Sequence, residues 1–120
     1  MAKVLLVGYI REFLEEQKNV LHAAGHQVIM GLTFEAAHQA INQETFDVAI
    51  LGYSVPRQER NQLAARLKQA NPPAKIILIY FASTQNTELA DALVPTTASA
   101  QEVLRAVDHL LSNPDKSKTG

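Results

Sequence analysis

Apolar residues along this chain follow two rhythms that take turns. Lys3 to Gly8 (KVLLVG), Phe46 to Leu51 (FDVAIL) and Lys75 to Tyr80 (KIILIY) are short, nearly continuous apolar runs. Runs of that length, closed by turn-forming residues, predict strands buried on both faces of a parallel sheet. His26 to Met30 is a shorter run that Gln27 interrupts, which predicts a strand at a sheet edge, and Ala92 to Val94 predicts a brief fifth strand. Between them the period changes to that of a helix. Ile10, Phe13, Leu14, Val20, Leu21 and Ala24 recur on one face of a first helix from about Ile10 to Ala24, with Glu12, Glu15, Glu16 and Lys18 opposite. Gly25 suits the position just past its end. Thr33 caps a second helix running to about Asn42, with Glu35 in its first turn. A third helix, Gln58 to Ala70, turns Leu63, Ala64, Leu67 and Ala70 inward and stops before Asn71-Pro72-Pro73. Ser99-Ala100-Gln101-Glu102 is a capping box that launches a last helix with Val103, Leu104, Val107, Leu110 and Leu111 inward. Phe81 to Asp91 leaves room for little more than two helical turns, begun at Ser83 or Thr84.

Alternating strands and right-handed helical crossovers predict a three-layer α/β/α sandwich around a five-stranded parallel sheet of order 2-1-3-4-5. The domain is expected over 1–111, with a polar, disordered tail over 112–120 (SNPDKSKTG). At 120 residues the chain is one domain with a core of its own. Its 47% apolar and 19% charged residues are those of a globular protein. A net charge of -1 without a basic stripe gives no reason to expect nucleic acid. With no cysteine there is no disulfide, thiolate metal site or cysteine nucleophile. The opening apolar run is too short for a signal peptide core or a membrane span, so a cytoplasmic protein without membrane association is expected.

Function in such a sheet collects at the carboxyl ends of the strands, here the windows 8–11, 52–57, 80–84 and 95–98. They hold no Asp or Glu. Mg²⁺ asks for carboxylate oxygens, and phosphoryl transfer asks for an acceptor oxygen, whereas the central strand ends at Gly52. Ser54 and Thr84 supply hydroxyls with no base beside them. No catalytic residue, metal ligand or cofactor is therefore assigned. The windows hold aromatics instead: all three tyrosines, Tyr9, Tyr53 and Tyr80, with Phe81 alongside. Gly8 and Gly52, on neighbouring strands, would leave a gap for such rings. Two readings follow: the rings plug the gap, or they form a small amphipathic pocket or partner-contact patch. Arg11 and Arg57 flank this edge and could hold an anion. The candidate binding edge is thus Tyr9, Arg11, Tyr53, Ser54, Arg57, Tyr80, Phe81 and Thr84. His22 and His26 are separated by the helix-ending Gly25, which argues against a shared metal, and His38 and His109 read as helix-surface residues.

The KVLLV opening, the A-G-H-Q-V lead into the second strand, FDVAIL with a proline four residues after Gly52, and the closing ALV…EVLRAV resemble the response-regulator receiver domain of two-component signalling. The likeness runs from about Lys3 to Leu111. It implies a flavodoxin-like fold, and it implies positions for an acidic pair, a phosphate-accepting aspartate, a hydroxyl and a lysine. These fall on Gly8 and Tyr9, on Gly52, on Tyr80, and on Pro95 or Thr96, so every chemical position of the phosphorelay switch is changed. Receivers also carry a full helix between their fourth and fifth strands, which this chain shortens. The expected function is a pseudo-receiver that docks to a protein partner of a signalling system without phosphorylation, and that is not an enzyme. The sequence leaves the partner and the oligomeric state open. The alternative is a small-ligand-binding flavodoxin-like domain of cobalamin, flavin or nucleotide type, although the Asp-x-His-x-x-Gly loop of the cobalamin family is absent after the first strand.

Overall fold

A computed structural model of the chain describes residues 2–80 and 89–112. Five parallel strands, β1 (Lys3–Val7), β2 (Gln27–Gly31), β3 (Val48–Leu51), β4 (Lys75–Tyr80) and β5 (Ala92–Pro95), form one sheet of order β2-β1-β3-β4-β5. Four helices are described: α1 (Arg11–Ala23), α2 (Phe34–Gln43), α3 (Arg57–Gln69) and α4 (Ala100–Ser112). This is the expected flavodoxin-like α/β/α architecture. The shortened helix expected between β4 and β5, and the tail after Ser112, lie outside the described residues. Ser112 itself, expected to begin the tail, closes α4. No helix among the described residues is long and apolar enough to cross a membrane.

The period of two along each strand divides the core. Leu5, Val7, Ala49, Leu51, Ile76 and Leu78 face α2 and α3, where Ala37, Leu63, Ala64 and Leu67 meet them. Val4, Leu6, Val48, Ile50, Ile77 and Ile79 face α1 and α4, against Leu14, Leu21, Val103 and Val107. Successive strand side chains point to opposite faces, so strands apolar at every position need helices on both sides. β2 stands at the edge, as its interrupted run implies, and its middle residues are only half-buried.

Helix ends follow local chemistry. The Thr33 hydroxyl accepts from the Ala36 N–H at 3.0 Å. Ser99 Oγ accepts from the Glu102 N–H at 3.2 Å while Glu102 Oε1 accepts from the Ser99 N–H at 2.8 Å, the reciprocal capping box. At the end of α1, Gly25 takes φ 97°, its N–H donates to His22 O and the His26 N–H donates to Leu21 O. That paired closure needs a left-handed residue, which glycine adopts without a Cβ penalty. The inward face of α1 differs from its apolar pattern. Ile10 is 41% exposed and Ala24 is exposed, whereas the polar Gln17 is buried between Leu14 and Leu21. Ile10 precedes the first helical turn with extended backbone, φ -115° and ψ 103°, which takes it off the helical stripe. Gln17 Oε1 has no hydrogen-bond partner among the described residues.

Replacing Ser99 with Ala removes one half of the capping box and should lower stability by about 1 kcal/mol. Urea unfolding followed by circular dichroism measures this, with the slope against denaturant unchanged.

Candidate functional site

The parallel register fixes the site before any side chain is considered. Val7 lies beside Leu51 in the sheet, so Gly8 and Gly52 are the first residues past the ends of adjacent strands. The Gly52 N–H donates to Val7 O at 2.8 Å, and the Gly8 N–H to Gly31 O at 3.1 Å. Tyr80 is paired with Pro95 on the neighbouring strands, and the Thr96 N–H donates to Tyr80 O at 2.9 Å. Gly8, Tyr9, Gly52, Tyr53, Ser54, Tyr80, Pro95 and Thr96 thus share the carboxyl end of the sheet. Phe81 and Thr84, assigned to the same edge, lie outside the described residues.

Among the described residues, the atoms nearest the two glycines belong to Leu14, to Ser54 and to backbone, and not to a ring. A Cβ on Gly8 would stand 2.9 Å from Leu14 Cδ2, so the α1 leucine occupies the space a side chain there would need. Leu14 is only 2% exposed. A Cβ on Gly52 would meet Val7 O at 3.0 Å, with Ser54 Oγ at 4.0 Å. Gly8 is tight because of a packed side chain, and Gly52 because the neighbouring strand's backbone lies at close range.

The aromatics serve as ties between loops. From the turn after β1, Tyr9 reaches α3, where its hydroxyl donates to Glu59 Oε1 at 2.6 Å and its ring packs on the α2/α3 core. From the turn after β3, Tyr53 reaches α1, where its ring stands edge-on to Phe13 at 5.4 Å between centroids. Midway, the Tyr9 N–H donates to Ser54 Oγ at 2.8 Å. Each loop is therefore held by the helix that follows the other. Burial, then the hydrogen bond and negative charge of Glu59, raise the Tyr9 phenol well above the ordinary tyrosine value, because all three penalise tyrosinate. Ser54, noted only as a spare hydroxyl, is a hydrogen-bond acceptor at the centre of this arrangement.

Arg11 begins α1, is exposed and pairs with Glu15 at 3.5 Å, a contact of little energetic weight. Arg57 begins α3 and is exposed. One turn on, Arg60 Nη1 donates to Val55 O at 3.4 Å, and burial together with the like charge of Arg57 holds its guanidinium below the usual arginine range. Among the described residues no group of three or more His, Asp or Glu side chains converges as a metal site would require. The opening between α3 and β4, lined by Leu51, Arg60, Asn61, Ala64, Leu78 and Leu89 among others, measures about 20 Å³, room for one water. A wider concavity of about 450 Å³ lies at the opposite end of the sheet, around Lys3, Gln43 and Glu44, and is open surface.

Two histidines read as incidental turn out to be connected. His38 Nδ1 faces Arg66 Nη1 at 2.6 Å, and Arg66 Nη2 also donates to Asn42, tying α2 to α3. Burial and the Arg66 charge hold the His38 imidazole below its ordinary value. His26 is buried and bonded at both ring nitrogens. Neither link has a local sequence signal, since each partner is more than 20 residues away.

No protein-family model matches the chain, and no curated relative does. Solved structures do. A CheY-like response regulator receiver domain protein from Methanospirillum hungatei JF-1 superposes with a TM-score of 0.84 at 22% identity, covering 98% of each chain. The signal receiver domain of a signal transduction histidine kinase from Syntrophus aciditrophicus gives 0.80 at 20% identity over 94% of this chain and 92% of its own. A Thermotoga maritima response regulator in complex with Mg²⁺-BeF gives 0.78 at 23% identity over 92% and 99%. The fold is that of response-regulator receiver domains.

Gly8→Ala should cost about 1–3 kcal/mol, because the new methyl enters space that buried Leu14 already fills. The cost should shrink in a Leu14→Ala background, as a thermal-unfolding double-mutant cycle would show. Tyr9→Phe should cost about 1.5 kcal/mol through the lost bond to a carboxylate. Since folding raises the Tyr9 value above 10.0, its contribution is complete below pH 10 and fades as pH climbs beyond it. The stability gap between wild type and Tyr9→Phe should accordingly narrow in urea titrations above that pH.

Proposed function

We propose that this chain is a pseudo-receiver: a receiver-fold module of a signalling system that works by docking to a protein partner and is not switched by phosphorylation. The observation that carries the reading is what stands at the described strand ends: two glycines in tight surroundings and a tyrosine whose hydroxyl is engaged. The positions that the receiver resemblance assigns to the acidic pair are Gly8, packed under Leu14, and Tyr9, whose hydroxyl is engaged by Glu59. The position assigned to the phosphate acceptor is Gly52, which has no side chain to modify. Tyr80 stands where the hydroxyl residue would be, and Pro95 or Thr96 where the lysine would be. Divalent-ion binding needs several oxygen ligands in a near-octahedral shell, and phosphoryl transfer from a small donor needs both acceptor and charge neutralisation. This edge supplies neither.

Switching in a two-state domain requires that something bind one state better than the other. Here the two loops are cross-tied by contacts within the chain, the Tyr9 hydroxyl to the Glu59 carboxylate and the Tyr53 ring to Phe13, that need no bound ion or phosphoryl group to form. The edge is held in one arrangement and offers a constant surface. Exposed Ile10 and half-buried Tyr9, Phe13 and Tyr53, flanked by Arg11 and Arg57, form the part-apolar, part-wet patch favoured at protein contacts.

Addition of Mg²⁺ with beryllofluoride or acetyl phosphate should leave the ¹H–¹⁵N amide spectrum unchanged. Displacement of the signals of residues 8–11 and 52–57, or an acid-labile phosphoryl adduct by mass spectrometry, would refute the proposal. Binding of a signalling partner should weaken on Tyr53→Ala and be indifferent to acetyl phosphate.

A further inference from the structure

At the opposite end of the sheet from the candidate edge, one imidazole joins three elements. His26 immediately precedes β2 and is 8% exposed. Its backbone N–H closes the end of α1 on Leu21 O at 3.2 Å. Its Nδ1 lies 3.3 Å from the backbone nitrogen of Ala2, and its Nε2 lies 3.0 Å from Asp108 Oδ1 on α4. The chemistry of the partners decides the proton's place. A backbone N–H can only donate, so Nδ1 must be the bare, accepting nitrogen. A carboxylate accepts, so Nε2 carries the hydrogen. The ring is neutral in this arrangement, with its tautomer set from both sides.

We propose that His26 is a proton-operated joint: protonation releases the start of β1 while leaving α4 tied. A second proton has only Nδ1 to occupy, and that nitrogen would then point its hydrogen at the Ala2 N–H. Two donors cannot share a bond, so Ala2 must move away. The Asp108 contact behaves in the opposite sense, because the Nε2–H bond to a carboxylate becomes charge-assisted when the ring is positive. Among the described residues, the groups bonded to His26 and its neighbours do not offset the conflict. From α1 comes the Leu21 carbonyl, already engaged by the His26 backbone, and the exposed His22. From α4 comes Asp108, 55% exposed and able to keep water on its other oxygen. From β1 comes the Ala2 N–H. The next residue, Gln27, donates its N–H to Ala2 O at 2.9 Å. Release of Ala2 is therefore transmitted first to the β1–β2 pairing at this end.

The test is an ¹⁵N NMR titration of the full chain, Met1 included, from pH 8 to pH 5. At high pH the ring nitrogens of His26 should show the Nε2–H tautomer. As the ring gains its proton, the amide of Ala2 should shift with it, and its hydrogen-exchange protection factor should fall about fivefold, the worth of one hydrogen bond. In His26→Asn, which keeps an accepting oxygen near the place of Nδ1 and takes no proton, the Ala2 shift should vanish. An Nδ1–H tautomer at high pH, or an Ala2 amide that stays put while the ring titrates, would overturn the proposal. So would an unaltered Ala2 response in His26→Asn. Should that variant not fold, the two wild-type readouts decide alone.

Discussion

The parallel pairing of β1 with β3 is the constraint from which the rest of this molecule follows. It buries both strands on both faces, so each must be apolar throughout and each must be covered by helices above and below. It also delivers two chain turns side by side, after Val7 and after Leu51. Whatever those turns carry is brought together whether or not it has chemistry to perform. In this chain they carry glycines, a serine and two tyrosines. The packing answers with a leucine from α1 under Gly8 and a backbone carbonyl against Gly52.

Strand ends that carry no carboxylate of their own still have to be stabilised. Turn residues close to one another expose backbone donors, and those need partners. The Tyr9 N–H finds Ser54 Oγ, and the phenol and the second tyrosine ring reach outward to the helices. The result is a crossed arrangement in which the first loop depends on α3 and the third on α1. Such ties are worth a few kcal/mol at most, which is a sizeable share of the margin that keeps any small domain folded. They also make the carboxyl end of the sheet part of its structural framework.

Contact between distant parts of the chain recurs at the other end. His26 links the chain start and α4, the Lys3 ammonium meets Glu44 at 2.6 Å, and the Lys3 N–H meets Asp47 at 2.8 Å. Both ends of the sheet are thus pinned by polar side-chain contacts, while its middle is held by the strand ladders and apolar burial. Changes confined to one end need not be felt at the other, because the ties at the two ends share no residues.

The pattern of apolar runs and helical stripes was enough to place all five strands, the four described helices and the order of the sheet. Those features rest on local periodicity and on the handedness of crossovers. Caps at Thr33, Ser99 and Gly25 were equally visible, since the groups they satisfy lie within four residues. That the windows 8–11, 52–57, 80–84 and 95–98 carry no carboxylate of their own was legible too. What fills them was not. Leu14 reads as an ordinary core residue until the approach of α1 to Gly8 is known. Tyr9 finds Glu59 fifty positions later, and His26 finds Asp108 eighty-two positions later. Ile10 is exposed because it precedes the first helical turn in extended backbone, and Gln17 is buried because its spacing from Leu14 and Leu21 puts it on the inward face. Composition and spacing decide which elements form and what chemistry they lack. The meeting of side chains far apart in sequence depends on how helices seat on the sheet, and only the assembled fold fixes that.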